Sequence, residues 1–534
     1  MKQLTVITFI AMAFSNSAIA QFASELITRP EKTRFAETST YADVIEFVEF
    51  IRESDLVNTE LMFTSTEGKD VPLIIISNPG ISTPEEAASS GKMISYIQAN
   101  IHGGEVEGKE AMMMMMREIL FGPKKYLLDN QILLVMPIYN ADGNDKMGPD
   151  NRSSQEGSPK LAGERRSGGD YDLNRDGMKA EAVETKGLLK MLTRWNPDLL
   201  VDLHTTNGTW HGNSLTYAPS YHHAGHPATS EYTMDVMLPA IKAALLEKDN
   251  IYIDIYGGYS LRQGWPPKAL YTYNHHPRYL VNQMGLRNKM AILSETFAHD
   301  RFDIRINSAH AFVNGILEYT NSHSKEIQEI NQKAERETLL KIKSEAGSFN
   351  NGVKYKMVPT PEPLNLRTYE YIPYSDEDGV KYARNGNIIN VDGVVNYNAF
   401  EATEESVVPG GYVFPGKLKV IAEKLEEHGV SVTKLKKGKS FRGAVYTVTS
   451  MENNKRKFEG HNMTTLSGSF EPATRKFDKG DYVIDMNQPL ANLIFYLLEP
   501  QSDDGLATWN FFDDFLNENS IDSKPVEYPV FKYW

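Results

Sequence analysis

Four apolar runs constrain this chain most. Residues 95–101, 131–139, 198–203 and 289–293 each read as a buried strand, and each hands over to polar residues at its C-terminal end. The first runs into His102 and Glu105, the second into Asn140-Ala141-Asp142-Gly143, the third into His204 and the fourth into Ser294-Glu295. Helical patterns at 106–120 and 181–195 lie between them. Strands alternating with helices predict an α/β layer fold around a largely parallel or mixed sheet. Ligand sites in such sheets lie beyond the carboxyl ends of the strands, which is where these polar residues fall.

The rest of the chain frames this region. Met1-Lys2, the apolar run 4–14 and Ala18-Ile19-Ala20 before Gln21 predict a signal peptide over 1–20 and an exported protein, periplasmic or secreted. No later stretch is apolar enough to span a bilayer, and there is no cysteine for disulfides or a lipid anchor. Ser39-Thr40 can cap a helix, strands are predicted at 61–64 and 71–77, and the polar stretch 79–92 reads as a loop. A charged helical pattern at 325–346 closes a catalytic region of 21–346. From Gly352 the texture changes to short β-like runs, with prolines in 359–363 and one amphipathic helix at 418–428. Strands are also predicted at 430–435, 445–450 and 482–486, so 352–534 is expected to form a separate α+β accessory domain. The length of 534 residues and 41% hydrophobic content suit more than one domain, and a net charge of -14 disfavours nucleic acid as partner.

The polar residues at the strand ends carry a specific chemistry. His102 and Glu105 flank a glycine turn, and imidazole and carboxylate both ligate zinc. His204 is the candidate third ligand, giving a His/Glu/His set that leaves a position open for water. Glu295 is the candidate base for that water. Arg175 beside Asn174 offers the planar donor geometry that matches a carboxylate, and Arg165 could stabilise an oxyanion. Asp172 could accept the second ring N–H of His102 and fix its tautomer. Met112–Met116 reads as core packing, His222, His223 and His226 as a pocket rim or solvated loop, and Trp509 as a core anchor; Arg278 could face the pocket.

With H-G-G-E at 102–105, N-A-D-G at 140–143, D-L-N-R at 172–175, D-L-H at 202–204 and S-E at 294–295, the chain resembles the zinc metallocarboxypeptidases, the carboxypeptidase A-like family, over 41–319. The resemblance implies an α/β/α sandwich with a mixed sheet. It also implies one zinc ion per chain on His102, Glu105 and His204, with Asn174 and Arg175 on the substrate's terminal carboxylate and Glu295 as general base. The oxyanion arginine is open among Arg165, Arg166 and Arg152. Arg165 is preferred because it lies upstream of D-L-N-R much as in cytosolic carboxypeptidase-like relatives. The tyrosine that closes over substrate is open among Tyr273, Tyr279 and Tyr271, with Tyr273 taken as the substrate-binding residue.

The expected activity is therefore hydrolysis of C-terminal residues from peptides that carry a free C-terminal carboxylate. One rival is an N-acyl amino acid deacylase of the aspartoacylase type, which shares the H-x-x-E and D-x-N-R elements. Another is a non-catalytic peptide- or glycan-binding relative, against which the presence of Glu295 argues.

Overall fold

The computed structural model describes residues 26–534 apart from 156, 158, 222 and 378, so the expected signal peptide and His222 lie outside the described residues. Helix α1 (Tyr41–Ile51) starts where Thr40 and Asp43 exchange hydrogen bonds as a capping box, and it buries Val44, Phe47, Val48 and Ile51. Strands β1 (Val57–Thr64), β2 (Asp70–Ile76), β3 (Met93–Ala99), β4 (Gln131–Met136), β5 (Leu199–Thr205), β6 (Leu215–Pro219) and β7 (Ile253–Ile255) precede the short β8 (Ala269–Tyr271) and β9 (Met290–Thr296).

All but β8 form one eight-stranded sheet in the order β1-β2-β4-β3-β5-β9-β6-β7. Its centre, β4-β3-β5-β9, is parallel, and antiparallel pairs bound it on both sides, at β2–β4 and β6–β9. Every residue of β3, β4 and β5 is buried, so both faces of the sheet are covered. That is why these strands read as unbroken apolar runs rather than as alternating ones. Helices α2 (Glu107–Phe121), α3 (Val183–Trp195), α4 (Leu280–Leu286) and α5 (Phe302–Glu345) supply the cover. The four methionines Met112, Met113, Met115 and Met116 are buried in the main core, as flexible thioethers suit.

Two expectations are corrected. The stretch 79–92 is not all loop: Pro84–Ser90 is helical, with Thr83 and Glu86 forming a capping box, Pro84 at its start and Gly91 in the left-handed region at its end. The closing helix begins at Phe302 rather than at 325, running 44 residues with a break in helical geometry at His323. Its first half buries Phe302 and Ile306 with Val106 and Ala111, and Phe312, Val313 and Ile316 in the main core, before the charged repeat begins.

After α5 come β10 (Asn350–Val358), the long hairpin β11 (Leu364–Asp376) and β12 (Gly379–Tyr397), and β13 (Ala399–Val407). A seven-stranded sheet follows, including the hairpin strands Lys439–Asn453 and Thr464–Phe477. This tail is knit into the first region. β12 pairs in parallel with β8, Thr368 bridges His211, and the tail's core takes in Met178, Ala224 and Leu286.

Arg278, which the sequence suggests could face a pocket, lies in this junction instead. Its guanidinium lies 2.8 Å from Asp504 and stacks over Phe458 and Trp509. Asp504, fully buried, also accepts from the Arg278 backbone N–H (2.8 Å) and the Trp509 indole N–H (2.9 Å). Removing a buried acceptor orphans three donors at once, so Asp504→Ala should cost roughly 3–5 kcal/mol. The urea midpoint reads this loss, and Asp504→Asn, which keeps an acceptor, should lie between Ala and wild type.

Candidate metal centre and active site

The site is built on strand register. In the parallel pair β5–β9, His204 stands opposite Glu295, and in β3–β5, Ala99 stands opposite Leu203. Beyond β3, Asn100 adopts φ +64° and its amide donates to the carbonyls of Gly103 (3.0 Å) and Glu105 (3.2 Å), closing the chain into a tight loop. Gly103 and Gly104 are required by close approach. A Cβ on Gly103 would lie 2.3 Å from the carbonyl carbon of Gly143, and one on Gly104 would lie 2.4 Å from the Gly163 oxygen. Asn140 ties the neighbouring loops together, donating towards the carbonyls of Ile101 (3.3 Å) and Arg165 (3.2 Å) and accepting from Gly143 (2.8 Å).

His102, Glu105 and His204 converge, each nearly buried, with one ligand atom apiece within 4.8 Å of the others. Both rings present the same nitrogen. Nδ1 of His102 lies 2.9 Å from Glu105 Oε1, and Nδ1 of His204 lies 2.9 Å from Glu105 Oε2. Each ring has a carboxylate behind its opposite nitrogen: His102 Nε2 is hydrogen-bonded with Asp172 at 3.1 Å, and His204 Nε2 lies 2.9 Å from Asp202, at charge-pairing distance. A carboxylate behind each imidazole fixes the ring and makes the facing nitrogen a better ligand. Asp202 was not singled out from the sequence. Its signal is the spacing Asp-x-His on a strand, which puts both side chains on one face.

The electrostatics fit a cation. Four carboxylates, Glu105, Asp172, Asp202 and Glu295, surround the two rings, with Arg152 and Arg165 facing them. Burial opposes protonation of His204, yet Asp202 and Glu105 raise it well above its ordinary value. Burial likewise opposes ionisation of Glu105, but His102 and Arg152 hold it well below the usual carboxylate range. Burial pushes Glu295 up to about 8, and the nearby charge of Glu105 adds to this against the pull of His204 and the arginines. Its Oε2 is buried with no hydrogen-bond partner among the described residues. An orphaned carboxylate oxygen beside a His/Glu/His donor set is the arrangement a metal and its water would complete.

All eight residues expected at the site line one cavity of about 200 Å³: His102, Glu105, Arg165, Asn174, Arg175, His204, Tyr273 and Glu295. Of the three arginines left open, Arg152 and Arg165 line it. Arg152 lies 3.0 Å from Glu105 Oε1, whereas Arg165 lies 3.7 Å from it and holds Asp172 at 2.9 Å. Arg166 is tied to Asp170 and Glu459 instead. Arg175 has no carboxylate partner among the described residues and lies over the Tyr279 ring at 4.5 Å, its NH1 donating to the Asn174 carbonyl. The adjacent Asp176 is spent on Lys179 and the backbone of residues 181 and 182. Asn174 uses its amide to accept from Leu280 N–H (3.2 Å), with Nδ2 3.4 Å from His204 Nε2.

Among the tyrosines, Tyr273 lines the cavity but its hydroxyl donates to Asn282 (3.0 Å) and towards Pro219 (3.3 Å). Tyr279 also lines it, Tyr271 stacks on Tyr397 outside it, and Tyr256, not foreseen, faces the carboxylates of Glu295 and Glu105. A second grouping, His275, His276 and Asp503, sits at the junction with the tail. Asp503 is already met there by His275, the Tyr496 hydroxyl and the Tyr355 N–H, so this is a structural network.

Two histidines and a glutamate beyond the parallel strands of an α/β sheet, with a buried free carboxylate beside them, define a metal-dependent hydrolase. The profile of the zinc carboxypeptidases, peptidase family M14, matches residues 45–244 of this chain. Carboxypeptidase 2 of Trichophyton tonsurans is 24% identical over 492 residues, covering 88% of this chain and 81% of that protein. Carboxypeptidase 2 of Trichophyton rubrum is 24% identical over 495 residues, covering 89% and 82%. A metallo-carboxypeptidase from Burkholderia cenocepacia superposes with a TM-score of 0.40 at 14% identity, over 53% of this chain and 70% of its own. Glu295 and Tyr273 lie beyond the matched segment and join the site through the fold alone.

Asp202→Asn should loosen the His204 ring while leaving every ligand atom in place. Zinc retention is expected to weaken about 10–100-fold, as for other carboxylates behind ligating histidines, and competition with a chromophoric chelator measures it.

Proposed function

We propose that this chain removes residues from the C-termini of peptides that end in a free carboxylate, with one zinc ion held by His102, Glu105 and His204. The observation that carries the reading is the shared cavity. It joins a His/Glu/His donor set, an unpartnered Glu295 oxygen and an Arg175 with no acidic partner. Zinc in such a site acts as a Lewis acid, acidifying water and polarising a carbonyl.

The chain's own groups supply the rest. Glu295 takes the proton from the attacking water at its free oxygen and delivers it to the leaving amine, the work of a general base that then serves as acid. Arg152 and Arg165 stand beside Glu105, where a guanidinium can meet the charge that develops on the carbonyl oxygen. Arg175, held over Tyr279, pairs with the terminal carboxylate and sets which bond lies at the metal. Tyr273, Tyr279 and Tyr256 form the aromatic wall. Among the described residues no helix is long and apolar enough to cross a membrane. Export through the 1–20 segment, and residues 352–534 as an accessory domain, belong to the same proposal; the sequence pattern supports both.

The cavity volume of about 200 Å³ favours one second reading, an N-acyl amino acid deacylase, because it suits a single amino-acid-sized group. Rates that climb with peptide length support the carboxypeptidase, and rates confined to N-acyl amino acids support the deacylase.

Glu295→Gln should keep zinc and substrate affinity while turnover falls ~10²–10⁴-fold, the usual worth of a general base. Arg175→Ala should instead raise KM on a free-acid peptide and have little effect on the C-terminally amidated version. Zinc content, kcat and KM on both peptides measure this. Normal turnover by Glu295→Gln contradicts the mechanism, and equal penalties on both peptides contradict the role of Arg175.

A further inference from the structure

One carboxylate of the tail reaches the catalytic loop. Glu459 lies in the turn between the strands Lys439–Asn453 and Thr464–Phe477, far along the chain from the catalytic residues. Its side chain is only 8% exposed and faces the loop 165–172. Oε1 accepts from Arg166 NH2 at 3.0 Å, and Oε2 accepts from Arg166 NH1 at 3.2 Å and from the backbone N–H of Asp172 at 3.3 Å. One carboxylate thus spans both ends of that loop, which is closed internally by Ser167 N–H on the Tyr171 carbonyl (3.0 Å).

What the loop carries gives this contact its meaning. Asp172, whose N–H meets Glu459, directs Oδ1 at His102 Nε2 and Oδ2 at the Arg165 guanidinium. Arg166 is drawn out of the cavity while its neighbour Arg165 faces in. A surface ion pair would have two exposed partners and would leave the backbone alone; the Glu459 side chain is nine-tenths buried and one of its three hydrogen bonds comes from a peptide N–H. It also holds φ +49°, a left-handed conformation that is strained for a non-glycine residue and persists where surroundings enforce it.

We infer that Glu459 is a positioning residue of the active site, through which the tail fixes the orientation of Asp172, and with it His102 and Arg165. The inference rests on the metallopeptidase reading above. The same turn offers an internal control: His461 pairs with Glu181 at 3.1 Å, docking the turn without touching the catalytic loop.

The experiment uses the full chain as Glu459→Ala, Glu459→Gln and His461→Ala, in zinc- and cobalt-loaded forms. Turnover of a free-acid peptide and the visible absorption of the bound cobalt are both measured. Glu459→Ala is expected to lower kcat about 10-fold or more with KM little changed and to shift the cobalt spectrum, in the range seen when support behind a metal ligand is lost. Glu459→Gln, which still accepts from the Asp172 N–H, should recover part of both, and His461→Ala should match wild type. A Glu459→Ala protein with wild-type kcat and cobalt spectrum overturns the inference, as does an equal loss in Glu459→Ala and His461→Ala. If wild type cleaves no peptide, the proposed function fails; the cobalt spectra still decide here, a shift confined to the Glu459 variants upholding the positioning role and an unchanged spectrum overturning it.

Discussion

The site depends on parallel pairing at the centre of the sheet. β3, β5 and β9 end side by side, so His204 and Glu295 on the strands and His102 and Glu105 in the short turn after β3 meet although far apart in the chain. Because both faces of these strands are packed, a one-residue slip would exchange the two faces, misfit their side chains against both covering layers and move His204 from its place beside Glu295. The core therefore enforces the chemistry. Register is specified by burial, and the catalytic residues inherit its precision.

On that frame the chain concentrates negative charge and then makes it rigid. Glu105 bridges the two imidazoles, and Asp172 and Asp202 hold them from behind. Gly103 and Gly104 let the loops around 143 and 163 press against the turn that carries Glu105. The supporting shell extends into the tail, where Glu459 grips the loop bearing Asp172. Buried carboxylates in such numbers are costly unless paired, and a divalent cation with two arginines is the pairing this geometry suits.

Much of this was legible in the chain. Fully buried parallel strands are continuous apolar runs, so all four central strands could be read, with the polar residues at their ends. The proposed metal ligands, Glu295 and Arg175 stand out because each falls at such an end or in a recognisable motif, and all of them line one cavity. The helix Pro84–Ser90 was hidden by its polarity, although its Thr-Pro-x-Glu start is a capping signal. The first half of the helix from Phe302 was missed because it turns its apolar face inward before the charged repeat begins. Which arginine and which tyrosine face the cavity depends on loop paths, and no spacing encodes those. Arg166 and Arg165 are neighbours that point to different partners, and Tyr256 arrives from the end of an edge strand. Glu459 could not be read at all, since a lone glutamate in a turn carries no sign of a partner 287 residues away.

The central claim is that His102, Glu105 and His204 hold a metal through the Nδ1 face of both rings. An anomalous-difference map at the zinc edge, from crystals of the zinc-loaded protein, tests it directly. The account predicts a single strong peak about 2.0–2.2 Å from Nδ1 of His102, Nδ1 of His204 and the Glu105 carboxylate, with Glu295 beside it and not bonded to it. A peak on the Nε2 side of either ring, at His275 and His276, or absent from the cavity would contradict it.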